Sequence, residues 1–284
     1  MDRDPQTKEL VLHGMSELHL GIVRERLQKR DKVEIETHEP KIPYRETIRT
    51  EAAGSYRHKK QTGGRGQFAE VHFRMFPLPL DAKPDEFATK ERFPHMRDSH
   101  YDPTLNFLFV DSIVGGSIPG NYLPAIEKGC RERIEKGILA GYPVRNVCVE
   151  VHFGKFHDVD SSEAAFKIAA DRCFRQVFAA AAPTLLEPLV TVHVTVPNAK
   201  IGDISGDLST RRGRVLGMDA AGGGMQTVAA SLPLSETSGY ARALSSMTGG
   251  QGSYVLEFSH YDLVPPHLQK QLIKAGKPDA DDDE

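Results

Sequence analysis

The chain of 284 residues lacks several features that would assign it quickly. No apolar run approaches the roughly 18 residues of a bilayer span, and the N-terminus has no apolar core of a secretory signal. The expectation is a cytoplasmic chain without a membrane partner. Cys130, Cys148 and Cys173 stand far apart with no Cys-x-x-Cys pair, which argues against a disulfide framework and against a structural zinc site. No Gly-x-x-x-x-Gly-Lys-Ser/Thr stretch occurs, and no Gly-x-Gly-x-x-Gly opens a helix after a strand, so the chain shows no nucleotide-phosphate cradle of its own. Charge of neither sign dominates: 36 Lys and Arg against 39 Asp and Glu leave a net −3.

What is present is an ordinary globular composition, 39% hydrophobic and 26% charged. The length suits about two domains at about 150 residues each. The charge is unevenly spread. Five of the last six residues are acidic (Asp279, Asp281, Asp282, Asp283, Glu284), and without them the chain would carry +2. Residues 55–67, SYRHKKQTGGRGQ, hold Arg57, Lys59, Lys60 and Arg65 and no acid. Near-neutrality therefore leaves an RNA partner open, because local patches set that interaction.

Periodicity divides the chain into three segments. Residues 9–14 read as a short strand, Ser16 as the cap of a helix with Glu17 in its first turn, and Leu20, Val23 and Leu27 as one helical face. KVEIET (32–37) alternates as a strand, and Pro40 and Pro43 mark a linker. Such a β-α-β piece buries little core alone. From about Thr47, residues 66–76, 106–116 and 146–153 read as strands, while the Pro-rich stretch 77–103 reads as an irregular insertion. Leu123, Ile126, Cys130 and Ile134 make an amphipathic helix with Pro124 in its first turn and Gly137 after its end. Asp160 and Glu163 have capping-box spacing, with Asp in the usual Ser/Thr position, ahead of a long helix through Val177. Residues 183–264 read as strands at 189–197, 214–218, 226–233 and 253–261, with helices at 201–213 and 235–250. That is the β-α-β-β-α-β order of a ferredoxin-like domain. The tail from 265 is expected to be disordered.

Three groups of residues carry candidate chemistry. YRHKKQTGGRGQ (56–67) reads either as a hairpin with solvated charges or as a contact to a phosphate backbone. Arg211, Arg212 and Arg214 at a helix end either complement the dipole or make a second RNA contact. His157, Asp158, Asp160 and Glu163 lack the spacing of a zinc-protease or EF-hand site. Ser161 beside a histidine does not make a triad without an oxyanion site and an oriented base.

SELHLGIVRERL (16–27), PYRETI (43–48), HKKQTGGRGQ (58–67), FVDSIVGGSIP (109–119), FHDVDSSEAAFKIAA (156–170), IGDISGDLSTRRGRVLGM (201–218) and GYARALSSMTGGQGSY (239–254) together resemble bacterial translation elongation factor G, a translational GTPase. They follow that family's order over nearly the whole chain. The resemblance implies an α+β fragment: a partial ferredoxin-like domain III (1–46), a ribosomal-protein-like domain IV with a left-handed β-α-β crossover (47–182), and a ferredoxin-like domain V (183–264). GTP and Mg would belong to a domain upstream, and no residue here would be catalytic. The partners implied are ribosomal RNA of both subunits and the tRNA–mRNA of the decoding region, met by a monomer. Lys59, Lys60, Gly63, Gly64, Arg65, Gly66, Gln67, His157 and Asp158 would form a ribosome-contacting tip. Arg211 and Arg212 would contact large-subunit RNA. Three departures from the family pattern are the insertion at roughly 81–104, Ser16 in the place of a Gly, and the acidic tail. They suit a paralogue acting in ribosome recycling as well as a translocation factor. A hydrolase built on the His157 loop, and an interaction module built on 81–104, are the readings from other classes.

Overall fold

A computed structural model describes residues 2–3, 7–12, 14, 17–61, 66–80 and 83–276. Contacts divide the chain into two units, Met1–Pro43 with Glu187–Asp262, and Tyr44–Leu186 with Leu263–Glu284. No helix among the described residues is long and apolar enough to cross a membrane.

The N-terminal piece has a two-residue ladder, β1 (Asp2–Arg3) against β2 (Leu10–Val11), and one helix, α1 (Glu17–Asp31). Leu20, Val23 and Leu27 are half-buried among more exposed neighbours, as the spacing predicts. Ser16, the expected cap, lies outside the described residues. The strand expected at 32–37 does not form. Lys32 takes φ +54°, Val33 N–H closes back onto Leu27 O at 3.2 Å, and no neighbouring strand among the described residues offers the segment a ladder. Alternation alone does not make a strand when its backbone groups have nothing to pair with.

The next unit is a five-stranded sheet with two helices on one face. Its elements are β3 (Arg45–Ile48), β4 (Ala52–Lys60), β5 (Gln67–Pro77), α2 (Pro84–Phe87), β6 (Asp98–Asp102), β7 (Phe107–Asp111), α3 (Leu123–Lys136), β8 (Val147–Lys155) and α4 (Glu163–Ala180). The sheet order is β4-β5-β8-β7-β6, with β7 parallel to β8 and the other pairs antiparallel. Ala69, Val71, Phe73 and Met75 of β5 alternate inward against Phe166, Ala169, Ala170, Cys173, Phe174 and Val177 of α4, so the two periods meet in one core. Ile126, Cys130 and Ile134 of α3 join it, and Arg133 bridges to Asp171 through two 2.8 Å bonds.

The stretch 77–103 is more ordered than its composition suggests. It forms α2 and β6, and β6 pairs with β7. Leu78, Phe87 and Phe93 bury against Leu108, Val110 and Cys148 on the sheet face away from α3 and α4, and Arg92 lies 3.9 Å over the Phe87 ring. These apolar residues are single anchors on irregular backbone, so no helical or strand period announces them. His100 reaches Glu127 at 2.8 Å and Arg131 reaches Asp102 at 2.5 Å, tying β6 to α3.

The remaining elements are β9 (Pro183–Pro197), α5 (Ile201–Thr210), β10 (Arg214–Gly222), β11 (Met225–Pro233), α6 (Tyr240–Thr248), β12 (Ser253–Leu263) and α7 (Pro266–Ala275). The order β10-β11-β9-β12 is that of a ferredoxin-like sheet. Ile204, Leu208, Tyr240 and Leu244 pack on Val190, Val192, Val194 and Val196. β9 begins earlier than expected because residues 183–186 pair with β3. α5 ends at Thr210 rather than at Gly213, with Arg212 in the left-handed region at φ +61°. α6 starts at Tyr240 rather than 235. The expected disorder from 265 is also corrected: residues 266–275 are helical, and Thr184 Oγ1 donates to Gln269 Oε1 at 3.0 Å. The acidic residues beyond 276 lie outside the described residues.

One buried carboxylate organises the return from α3 to β8. Glu46, fully buried, accepts from the N–H groups of Ile138 (2.6 Å), Leu139 (2.9 Å), Ala140 (2.8 Å) and Tyr142 (3.1 Å). Its backbone pairs with Pro143 O and Arg145 N–H. Replacing it orphans four donors at once, each costly when unpaired. Glu46→Ala is expected to cost about 3 kcal/mol or more in urea unfolding, with Glu46→Gln intermediate because one amide oxygen replaces two carboxylate oxygens. A loss below about 1 kcal/mol for Glu46→Ala would contradict this role.

Candidate nucleic-acid interface

Strand registry brings the two sequence-predicted loops to one end of the sheet. Lys60, the last residue of β4, pairs with Gln67, the first of β5, so the basic stretch is a hairpin. β8 ends beside it, with Lys155 opposite Glu70. The loop 156–162 therefore leaves from the same end as the hairpin. Parallel pairing of β7 with β8, Asp111 opposite Val151, brings the loop 112–119 to that end as well.

Hydrogen bonds then fasten loop to hairpin. Phe68 N–H donates to Asp160 O at 3.0 Å, and Gly66 N–H donates to Asp160 Oδ1 at 3.1 Å. Ser161, buried, donates through Oγ to Phe68 O at 2.7 Å, and the same oxygen accepts from His157 N–H at 2.9 Å. Ser161 N–H closes the turn onto His157 O at 3.0 Å. A Cβ on Gly154 would meet Glu70 O at 2.3 Å and the Ile118 side chain at 2.5 Å, so the close packing of β8 on β5 and on the loop 112–119 requires glycine there.

This geometry revises the predicted capping box. The cap of α4 is Ser162, whose Oγ accepts from Ala165 N–H at 3.2 Å, and Glu163 is the first helical residue. Asp160 and Ser162 are both capping residue types, and spacing could not choose between them. The Asp160 carboxylate is drawn instead to Gly66, 94 positions away.

The side chains are presented as follows. His157 is 56% exposed, and its Nδ1 accepts from Val159 and Asp160 N–H groups, each at 3.3 Å. With Nδ1 as acceptor, the neutral ring carries its proton on Nε2, a donor on a side chain that is more than half exposed. Gln67 is exposed, with Oε1 2.8 Å from His58 Nε2. Lys59, Lys60 and Asp158 are exposed at the same end. Gly63, Gly64 and Arg65 lie outside the described residues. Sequence reasoning missed Phe153, Phe156 and Val159, which are apolar and exposed here; the signal was three large apolar residues crowded into a strand end and its loop.

The geometry leaves little for hydrolytic or metal chemistry in the His157 loop. Ser161 is buried with its hydroxyl committed in both directions, and Asp160 is committed to Gly66. Among the described residues, no group of three or more His, Cys, Asp or Glu is placed to hold a metal ion.

Arg211 and Arg212 are partly exposed, at 21% and 29% of their side-chain surface, and each is tied to neighbouring groups. Arg211 donates to Asp207 Oδ2 at 2.8 Å and Glu236 O at 2.9 Å, and its guanidinium lies 5.1 Å over the Tyr240 ring. Burial pushes the Tyr240 hydroxyl pKa up to about 12. Arg212 forms a two-pronged pair with Glu187 and approaches Glu236 at 3.7 Å. The bond to Glu187 raises the Arg212 pKa further. The acceptors lie up to 25 residues away in sequence, which is why the run of arginines reads as open charge.

Comparison with known proteins gives matches along nearly the whole chain. Residues 1–39 match the description "Elongation Factor G, domain III", residues 40–90 and 98–182 match "Elongation factor G, domain IV", and residues 184–272 match "Elongation factor G C-terminus". Residues 91–97, within the insertion expected at 81–104, lie between the two matched stretches of domain IV. The chain is 42% identical over 281 residues to the elongation factor G-like protein of Thermotoga maritima, covering 99% of this chain and 38% of that one. It is 40% identical over 277 residues to elongation factor G of Aquifex pyrophilus, covering 96% of this chain and 36% of that one. A solved structure from Thermus thermophilus is similar at a TM-score of 0.78 and 43% identity, over 96% of this chain and 37% of that one. The chain therefore spans less than two fifths of the length of these relatives.

The Ser161 hydroxyl is the most heavily used group in the junction. Ser161→Ala leaves Phe68 O and His157 N–H without this partner and is expected to cost about 1–3 kcal/mol. Amide hydrogen exchange at His157 and Ser161 should accelerate well beyond exchange in the core of β5. Unchanged exchange in the loop would show that the hydroxyl does not hold it.

Proposed function

This chain belongs to the elongation factor G family, and from that premise we propose that it is the ribosome-binding portion of a translational GTPase that moves tRNA and mRNA. Elongation and translation are the family's business; translocation is the finer reading. GTP hydrolysis, with its Mg, would occur in a domain upstream of these residues. The single observation that carries the proposal is the fastening of the two loops into one rigid end of the β4–β8 sheet.

That end suits a mechanical role in the cytoplasm. A probe that biases movement must hold its shape under load, and here its contact groups stand on a sheet and a buried hydroxyl rather than on long free loops. Lys59, Lys60, Gly66, Gln67, His157 and Asp158 present charge, amide donors and one imidazole N–H, with Gly63, Gly64 and Arg65 in the intervening sequence. Phosphates and riboses of the decoding region are the matching chemistry. Occupying that region after hydrolysis would make backward movement of tRNA–mRNA unfavourable, a population shift through differential contacts. Arg211 and Arg212, partly exposed after the end of α5, would contact large-subunit RNA.

Recycling is the second reading, and the elongation factor G-like name of one relative favours keeping it. Translocation and subunit-splitting assays on the whole protein separate the two.

A tip that meets phosphates must be salt-sensitive. Ribosome affinity is expected to fall steeply with salt, and Lys59→Ala and Lys60→Ala should each weaken binding and lower the logarithmic salt slope by about 1. Affinity indifferent to salt and to both substitutions would remove the RNA-contacting tip.

A further inference from the structure

Among the described residues, the face of the β4–β8 sheet away from α3 and α4 is covered over only half its width. Leu78, Phe87 and Phe93 cap it over β7 and part of β8. Toward β4 and the tip it is open, and pairing aligns its residues in rows: Arg57 opposite Glu70 opposite Lys155, Ser55 opposite His72 opposite Phe153, and Ala53 opposite Arg74 opposite Glu150. Lys59 and Phe68 continue the surface toward the hairpin.

The acids of this face lie beneath its cations. Glu70 and Glu150 are buried, while Arg57, Lys59, Arg74 and Lys155 are exposed or half-exposed above them. Arg57 Nε is 2.6 Å from Glu70 Oε2, His72 Nε2 is 2.9 Å from Glu70 Oε1, and Arg74 Nε is 3.1 Å from Glu150 Oε2. Burial acts to raise the Glu70 pKa, but the bonds from His72 and Arg57 outweigh it and hold the carboxyl below its usual range. The two carboxylates hold Arg57 and Arg74 in place, and the four cations Arg57, Lys59, Arg74 and Lys155 outnumber them, so the face stays net positive. Phe153 stands 40% exposed, held edge-on to His72 at 5.0 Å and 84°. An exposed aromatic ring locked in place among cations is the arrangement on which unpaired bases stack while the backbone follows the charges.

We propose that this open half of the sheet, formed by Arg57, Lys59, His72, Arg74, Phe153 and Lys155, is a platform for single-stranded RNA, continuous with the tip. The proposal rests on the reading that this end of the protein meets RNA, and extends it from the loops to the sheet. Charge complementarity selects RNA over an apolar partner, and the fixed aromatic ring selects unpaired bases over a duplex.

The test is fluorescence anisotropy of a short fluorescein-labelled single-stranded RNA of mixed sequence titrated with the full chain at fixed salt. Phe153→Ala/Lys155→Ala, checked for an unchanged melting temperature, is expected to weaken binding about tenfold or more. Phe153→Tyr, which keeps the ring, should restore affinity to the level of Lys155→Ala alone when placed in the Lys155→Ala background. Unchanged binding by the double variant overturns the platform, as does competition by polyglutamate equal to that by unlabelled RNA, which would assign the face to an acidic protein segment. Ribosome binding by Lys60→Ala, measured in parallel, reports on the tip alone, so either reading can fail without the other.

Discussion

The junction between the loop after β8 and the start of β5 is the constraint on which the functional end depends. Asp160 and Ser161 supply it with one backbone carbonyl, one carboxylate and one buried hydroxyl, all directed at Gly66, Phe68 and His157. A loop so held has no freedom to collapse on approach to a partner. The His157 Nε2–H follows from the same arrangement, because two backbone N–H groups occupy the other ring nitrogen. Rigidity here lowers the ordering cost of binding.

The support beneath is equally specific. The core between β5, β8, α3 and α4 is apolar and closely packed, and Glu46 fixes the one long return that could loosen it. On the other face, Leu78, Phe87 and Phe93 cover β7, and among the described residues the β4 side is left bare. One sheet thus carries a stabilised side, an open charged side and a loop-bearing end. The arginines that look free in sequence, Arg211 and Arg212, are paired with Asp207 and Glu187 while staying partly exposed.

Legibility in the sequence follows the strength of periodic burial. α3 and α4 are readable because each buries one face continuously, and the β9–β12 order is readable because β9 and β11 alternate over much of their length. The strand expected at 32–37 fails for want of a ladder partner, which no local pattern reports. β6 and α2 are hard to read because their anchors, Phe87 and Phe93, are isolated in an irregular stretch. α7 is masked by the charged tail that follows it. In the site, the residue types of the tip are visible as a basic stretch and a histidine loop, but their meeting is not. It rests on partners more than 90 positions apart, and so do the true roles of Asp160 and Ser161.

The most direct measurement uses the buried thiols. Cys130, Cys148 and Cys173 are buried, and burial raises the Cys173 pKa to about 12, so the native thiols do not compete for a thiol-reactive probe. With Asp158→Cys the tip would carry the single accessible thiol, to which an iron chelate can be attached. On ribosomes, hydroxyl radicals from that position are expected to cleave small-subunit RNA in the decoding region. Cleavage confined to other regions, or none at saturating protein, would contradict a tip that enters the decoding site.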